Sequence, residues 1–289
     1  MIPDSLIKKR LIVLLAFVAS VAFVWIQSPT STTASHDSYL LVSFLDVGQG
    51  DAVFIETPDG VQVLVDGGPD SSVLRELGEI MGVRDRTIDI IVGTHPDKDH
   101  IGGLVDVLAR YEVGAIIKTE NESDTNVATA YTAATEQEGA EIIYARRGQT
   151  FTLGASTTLQ VLFPDTDPTA MESNTSSIVL QLTYGDIDFL LTGDSPKNIE
   201  EYLVLAEGED LESEVLKVGH HGSRTSTSEL FLDEVAPQYA VISAGRDNRY
   251  GHPHVEVTDM LFNKRVETLS TAELGSITFL SDGTGLWVE

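Results

Sequence analysis

Between residues 88 and 101 the chain passes from an apolar run, IDIIVGT, through Thr94-His95-Pro96-Asp97-Lys98-Asp99-His100 into an amphipathic stretch, IGGLVDVLARY. A buried strand that ends in a polar turn and opens a helix is the unit of an α/β sheet, and such sheets bind their ligands beyond the carboxyl ends of the strands. Two imidazoles and two carboxylates within six residues can point several ligand atoms at one place, with Pro96 stiffening the turn and Gly102-Gly103 admitting a neighbouring backbone. The sequence contains no cysteine, which excludes disulfides, thiolate ligands and a cysteine nucleophile. Any metal must be held by His, Asp, Glu or the backbone.

Three further clusters fall where apolar runs end. FLLTGD (189–194) delivers Asp194, with Ser195-Pro196 reading as a helix N-cap and first-turn proline. VLKVGHHGS (215–223) delivers His220 and His221, and Ser226 with Glu229 reads as a capping box for the next helix. NRYGHPH (248–254) places His252 and His254 after a run at 240–244. Of the seven histidines, only His36 lies outside these strand-end clusters.

Residues 1–38 read as a separate segment. Lys8, Lys9 and Arg10 precede the apolar stretch 11–26, and QSPTSTTAS (27–35) follows as a polar tether. As a helix, sixteen residues would span about 24 Å, slightly short of a ~30 Å hydrocarbon core. The stretch is read as an uncleaved single-pass anchor, with a cleaved signal peptide as the alternative. The basic cluster in front places the rest of the chain outside the cytoplasm in either case. Residues 39–289 read as one domain of short β-rich runs and interleaved helices. The pattern predicts strands at 88–94 and 115–118 and helices near 71–81, 101–111, 125–139, 196–206, 226–235 and 255–263. Mixed hairpins and strand–helix–strand units predict two sheets with helices outside.

HPDKDH, TGD and a later histidine after a strand resemble the metallo-β-lactamase superfamily, whose signature is H-x-H-x-D-H. FLDVGQGDA (44–52), LVDGG (64–68), THPDKDHIGG, FLLTGD, LKVGHHGS and YGHPH, in this order over residues 40–289, are similar to the metallo-hydrolase domain of ComEC-type DNA-uptake proteins. The resemblance implies an αββα four-layer sandwich with a pair of divalent ions, zinc or manganese, at one edge. It implies His95, Asp97, Asp99, His100, Asp194 and one of His220 and His221 as ligands. Asp97 stands where many members have histidine. Asp194 matches the aspartate that bridges the two ions, and Asp66 a supporting aspartate. The family's middle histidine has no counterpart, since no histidine occurs from 101 to 219; Asn174 lies in roughly that region.

Two neighbouring cations would supply an activated water at neutral pH. Asp99 is expected to orient that water and His252 or His254 to protonate the leaving group. Asp51, Ser223 and Arg224 are expected near the substrate, the last two as a phosphate grip. The expected activity is an exported phosphodiesterase or nuclease acting on DNA. Hydrolysis of another ester, and a non-catalytic tethered module, are the alternatives. With 45 acidic and 18 basic residues the net charge is −27, which argues against passive adhesion to nucleic acid and leaves bound cations to attract phosphate. One apolar segment cannot form the multi-helix channel of ComEC-type proteins, so a separate channel protein is the expected partner, with the oligomeric state left open.

Overall fold

The structure is a computed structural model that describes residues 39–82 and 84–289. The expected anchor at 11–26 lies outside the described residues. Among the described residues no helix is long and apolar enough to cross a membrane.

The first sheet contains β1 (Leu40–Phe44), β2 (Val53–Glu56), β3 (Gln62–Val65), β4 (Thr87–Gly93), β5 (Glu112–Lys118) and β6 (Glu141–Tyr144). It is completed on the β1 side by β14 (Ile277–Ser281) and β15 (Leu286–Val288). The second is formed by β7 (Thr150–Leu153), β8 (Thr157–Phe163), β9 (Val179–Tyr184), β10 (Ile187–Leu191), β11 (Val215–Lys217), β12 (Tyr239–Ile242) and β13 (Glu267–Ser270). Strands β3 to β6 run parallel in the first sheet and β10 to β13 in the second. Helices α1 (Val73–Ile80), α2 (Lys98–Leu108) and α3 (Asn126–Glu138) belong to the first half. Helices α4 (Lys197–Glu207), α5 (Glu229–Val235), α6 (Val255–Lys264) and α7 (Thr271–Leu274) belong to the second.

The two-residue period of the strands sorts their side chains into layers. Leu40, Val42 and Phe44 of β1, Val53 and Ile55 of β2, and Phe189 and Leu191 of β10 fill the space between the sheets. Leu41, Phe54 and Leu64 point the other way, into a cluster with Leu77 of α1, Leu104 of α2 and Tyr131 of α3. Leu190 and Leu216 do the same on the second sheet, against Leu203 of α4, Phe231 of α5 and Leu261 of α6. Three apolar layers separate four layers of secondary structure, giving the αββα sandwich expected from the resemblance.

Three boundaries differ from the expectation. Helix α2 starts at Lys98 rather than about 101, because Asp97 is in an extended N-cap conformation directly after Pro96. Asp99 and His100 therefore sit in the first helical turn. Ser228, not Ser226, caps α5, accepting from the Phe231 N–H, while the Ser226 hydroxyl donates to the Ser195 carbonyl. Pro196, not Ser195, occupies the N-cap position of α4.

Candidate metal centre

The ends of β3, β4, β10 and β11 converge, and each is followed by the polar residues singled out in the sequence. Asp66, just past β3, is the hub. Its backbone takes φ 59°, a left-handed conformation that costs on the order of 1–3 kcal/mol outside glycine. In return its carboxylate accepts from Thr94 N–H (2.9 Å) and from Thr94 Oγ1 (2.7 Å), and its Oδ2 lies 2.8 Å from His100 Nδ1.

These bonds orient the imidazoles. The Thr94 hydroxyl spends its proton on Asp66, so at 3.0 Å it accepts from His95 Nδ1. His100 Nδ1 donates to Asp66, and His221 Nδ1 donates to the Ser243 carbonyl at 2.9 Å. All three rings are buried, and each turns Nε2 forward with no hydrogen-bond partner. Asp194 lies at the focus. Its carboxylate oxygens are 3.9 Å from His95 Nε2, 3.3 Å from His100 Nε2 and 3.6 Å from His221 Nε2. Asp99 adds an oxygen 3.5 Å from His221 Nε2. Buried donor atoms without partners cost about 1–3 kcal/mol each, so a ring of them around a carboxylate fits a divalent cation. Among the described residues four triads have ligand atoms within 4.8 Å of one another: His95, His100 and Asp194; Asp99, His100 and His221; Asp51, Asp66 and His100; and Asp51, Asp194 and His221. A histidine ligand with its rear nitrogen donating to a carboxylate or carbonyl is the usual arrangement for metal binding.

Burial disfavours charge on Asp194, but His100, His221 and Lys217 outweigh it and hold the carboxyl well below the usual range. Burial likewise pulls on His221, yet Asp194 and Asp51 prevail and raise it to about 9. His100 is raised for the same reason by Asp194 and Asp66. His95 is different: burial and the neighbouring His100 push it well below its ordinary value. Without a cation, protons on His100 and His221 balance the carboxylates.

The remaining expected residues are distributed around this focus. Asp97 stands at the rim, its side chain 43% exposed, accepting from Ser173 Oγ at 2.6 Å and facing His95 Nε2 at 3.8 Å. His220 is half-buried, with Nε2 3.7 Å from Asp194 and Asn174 Nδ2 3.4 Å from its ring. Both His220 (φ 50°) and His221 (φ 54°) are left-handed, so with Asp66 three strained residues surround the cluster. Gly222 follows at φ 81°, and a Cβ there would meet Pro253 at 2.6 Å. His254 N–H donates to the Gly222 carbonyl at 2.9 Å, which sets the loop of His252 and His254 against the cluster. The His252 ring is 5.5 Å from His220 and 6.3 Å from His221.

Three expected roles change. Burial and the adjacent imidazoles lower His252 to about 4, so without a cation it is a neutral imidazole at neutral pH, a weaker acid toward a leaving group than the imidazolium expected. Asp51, expected near the substrate, is buried, with oxygens close to Lys217, His221 (3.3 Å) and His100 (3.7 Å). Ser223 is buried too; its Oγ accepts from Thr225 Oγ1 at 2.9 Å, so it shapes the loop rather than gripping phosphate. Arg224 is exposed, 3.8 Å from Glu256, and its backbone N–H donates to His254 Nδ1.

Sequence reasoning missed Lys217. Its Nζ is buried against the Asp51 carboxylate, donates to the Gly193 carbonyl at 2.8 Å and stands 3.7 Å from Asp194. The signal was present: in VLKV, Val215 and Lys217 share the strand face that points between the sheets.

The sequence profile described as the Metallo-beta-lactamase superfamily matches residues 45–246. ComE operon protein 3 of Bacillus subtilis (strain 168) is 32% identical over 255 residues, covering 82% of this chain and 32% of that protein. Recombination protein 2 of Haemophilus influenzae is 32% identical, covering 82% of this chain and 28% of that protein. The chain thus spans about a third of the length of these curated relatives. Among solved structures, the metallo-beta-lactamase fold protein YhfI from Bacillus subtilis superposes with a TM-score of 0.51 at 14% identity, covering 80% of this chain and 95% of that one. Zn(2+)-bound PqqB from Methylobacterium extorquens gives 0.53 at 9% identity, covering 83% and 99%. At these identities the structures speak for the fold.

Proposed function

The chain belongs to the metallo-β-lactamase superfamily, and on that footing we propose that it is a metal-dependent phosphodiesterase that acts on DNA outside the cytoplasm. The observation that carries this reading is the set of three buried Nε2 atoms, without partners, turned toward Asp194. Asp99, His100 and His221 would hold one divalent ion and His95 with Asp97 a second, with Asp194 shared. Such ions polarise a phosphoryl oxygen and lower the pKa of water. The chain supplies the rest. Asp66, Thr94 and Ser243 hold the Nδ1 side of each ring, so Nε2 is the atom turned forward, and His100 and His221 give up a proton there when a cation binds. The Lys217 ammonium holds Asp51 behind the cluster and offsets part of the carboxylate charge, so substrate phosphate meets a less negative site.

DNA is favoured over other phosphodiesters by the relatives that the chain resembles, which include competence protein ComA of Neisseria gonorrhoeae and recombination protein 2. Export rests on Lys8, Lys9 and Arg10 before the apolar residues 11–26. The test is turnover of linear DNA and of a bis-aryl phosphodiester by the metal-stripped chain, with manganese or zinc added back. Wild type is expected to cleave both, and Asp194→Asn to lose metal content and turnover together. No cleavage by wild type with either ion would refute the reading.

A further inference from the structure

An acidic nuclease faces a problem that its metal site does not solve. At −27 the chain repels a polyanion before any phosphate reaches the cations. Affinity for the strand must then come from contacts that do not depend on net charge. Stacking of bases on aromatic rings is such a contact, worth ~1–3 kcal/mol per base and indifferent to sequence.

The loop after β12 offers it. Tyr250 is 49% exposed and stacks on His252, with ring centroids 5.7 Å apart and planes 22° from parallel. His252 in turn adjoins the His220 and His221 rings, so a row of rings runs from solvent to the metal cluster. The Arg249 guanidinium lies 5.0 Å from the Tyr250 centroid and donates to the Tyr250 hydroxyl at 2.9 Å. The loop is held in shape by Asn248. Its Nδ2 donates to the Gly245 and His252 carbonyls, and its Oδ1 accepts from the Tyr250 and His252 N–H groups. Beside it opens a cleft of about 580 Å³ lined by Arg246, His252, Ser270 and Glu273. Arg246 and Glu273 line this cleft, and Arg224, Asp247, Arg249 and Glu256 are exposed on the adjoining segments, so charge alone does not make the surface attractive.

We infer that Tyr250 is a stacking platform for an unpaired nucleobase next to the phosphodiester at the metal centre, with Arg246 and Arg249 steadying the flanking phosphates. The inference rests on the phosphodiesterase reading and narrows its substrate to single-stranded nucleic acid, because a duplex keeps its base faces covered. Stacked on His252 and neighboured by the Arg249 guanidinium, the ring still keeps 49% exposure, area on which a base extends the row.

The test measures binding of dye-labelled strands of about twelve nucleotides, within the usual site size, to the full chain at ~0.15 M salt without added metal. The probes are oligothymidylate, an abasic strand of equal length and charge, and a duplex. Wild type is expected to prefer oligothymidylate to both others by roughly 5-fold or more. Tyr250→Ala should erase the preference over the abasic strand, and Tyr250→Phe should keep it. Equal binding of the base-bearing and abasic strands by wild type overturns the inference, as does an unchanged preference in Tyr250→Ala or a loss in Tyr250→Phe equal to that in Tyr250→Ala. Turnover is measured separately on the metal-loaded chain. Base-dependent binding without turnover supports the platform and sinks the hydrolase reading; turnover without base-dependent binding does the reverse.

Discussion

Lys217 shows what one side chain commits the rest of the site to. Strand alternation places it on the face between the sheets, where an ammonium without a partner would be untenable. Asp51 and Asp194 supply the partners, and they outweigh burial to raise its pKa. Removing one member of a buried pair leaves the other charge stranded. Lys217→Met is therefore expected to destabilise the metal-free protein by about 3–5 kcal/mol. Adding Asp51→Asn to it should restore at least ~1 kcal/mol of that loss, with both read from urea denaturation. Strictly additive costs would show that the two groups do not depend on one another. Asp97 tests a different property. As a ligand, its carboxylate at the rim would shift the donor set toward oxygen, which suits manganese better than zinc. Turnover of the metal-stripped chain should be faster with manganese, and Asp97→His should move the preference toward zinc. A faster zinc reaction in wild type would contradict the assignment of Asp97 as a ligand.

The contact between α2 and the end of β3 decides whether these side chains meet. Gly67 N–H donates to the His100 carbonyl at 2.7 Å and Gly103 N–H to the Gly68 carbonyl at 2.9 Å, so helix and loop touch backbone to backbone. A Cβ on Gly103 would lie 2.0 Å from the Gly67 carbonyl oxygen. Gly103→Ala must push the helix away and draw His100 from Asp66. A loss of about 1–3 kcal/mol or more is expected, together with weaker zinc or manganese uptake by calorimetric titration. Stability lost with full metal affinity would mean that the helix position does not govern the site. The Gly102-Gly103 pair was legible in the sequence as a place of close approach, as were the apolar strands ending in ligands, because burial and period leave plain marks. The start of α2 was not, since an N-cap conformation at Asp97 depends on what packs around Pro96. Nor was the cap of α5: Ser226 and Ser228 both suit the position, and the choice is made by tertiary bonds. Glu200 of α4 accepts from Ser228 N–H at 2.7 Å, while Ser226 is drawn to Ser195. Lys217 escaped notice because its partners lie far away in the chain, at Asp51 and Gly193.

Across the whole molecule the cluster makes stability depend on pH in a stated direction. His100 and His221 have raised pKa values in the folded, metal-free protein, the latter about 9 against an ordinary 6.5. The folded state then holds more protons than the unfolded state between these limits, so this stability is full below about pH 6.5 and is lost as pH rises toward 9. Thermal melts of the chelator-treated chain should show a falling Tm over that window. Added manganese or zinc should abolish the fall and release protons on binding. A Tm that is flat from pH 6.5 to 9 without metal would refute the charge balance described for the cluster. The closing of the first sheet bears on a different process, synthesis. Strand β1 lies between β2 and β14, and Ser43 meets Thr278 across 235 residues of sequence, Oγ to Oγ1 at 3.0 Å. Strand β14 also brings Phe279, whose ring contacts Phe44, Phe189 and Tyr239 between the sheets. At ~5–20 residues per second a ribosome takes on the order of 10–50 s to travel from one partner to the other. Throughout that interval the nascent chain has an open edge on β1 and lacks the ring that joins its two halves. Every histidine and aspartate of the candidate metal centre leaves the ribosome before Phe279 does, so the translation machinery delivers all the candidate ligands before the frame that aligns them can close.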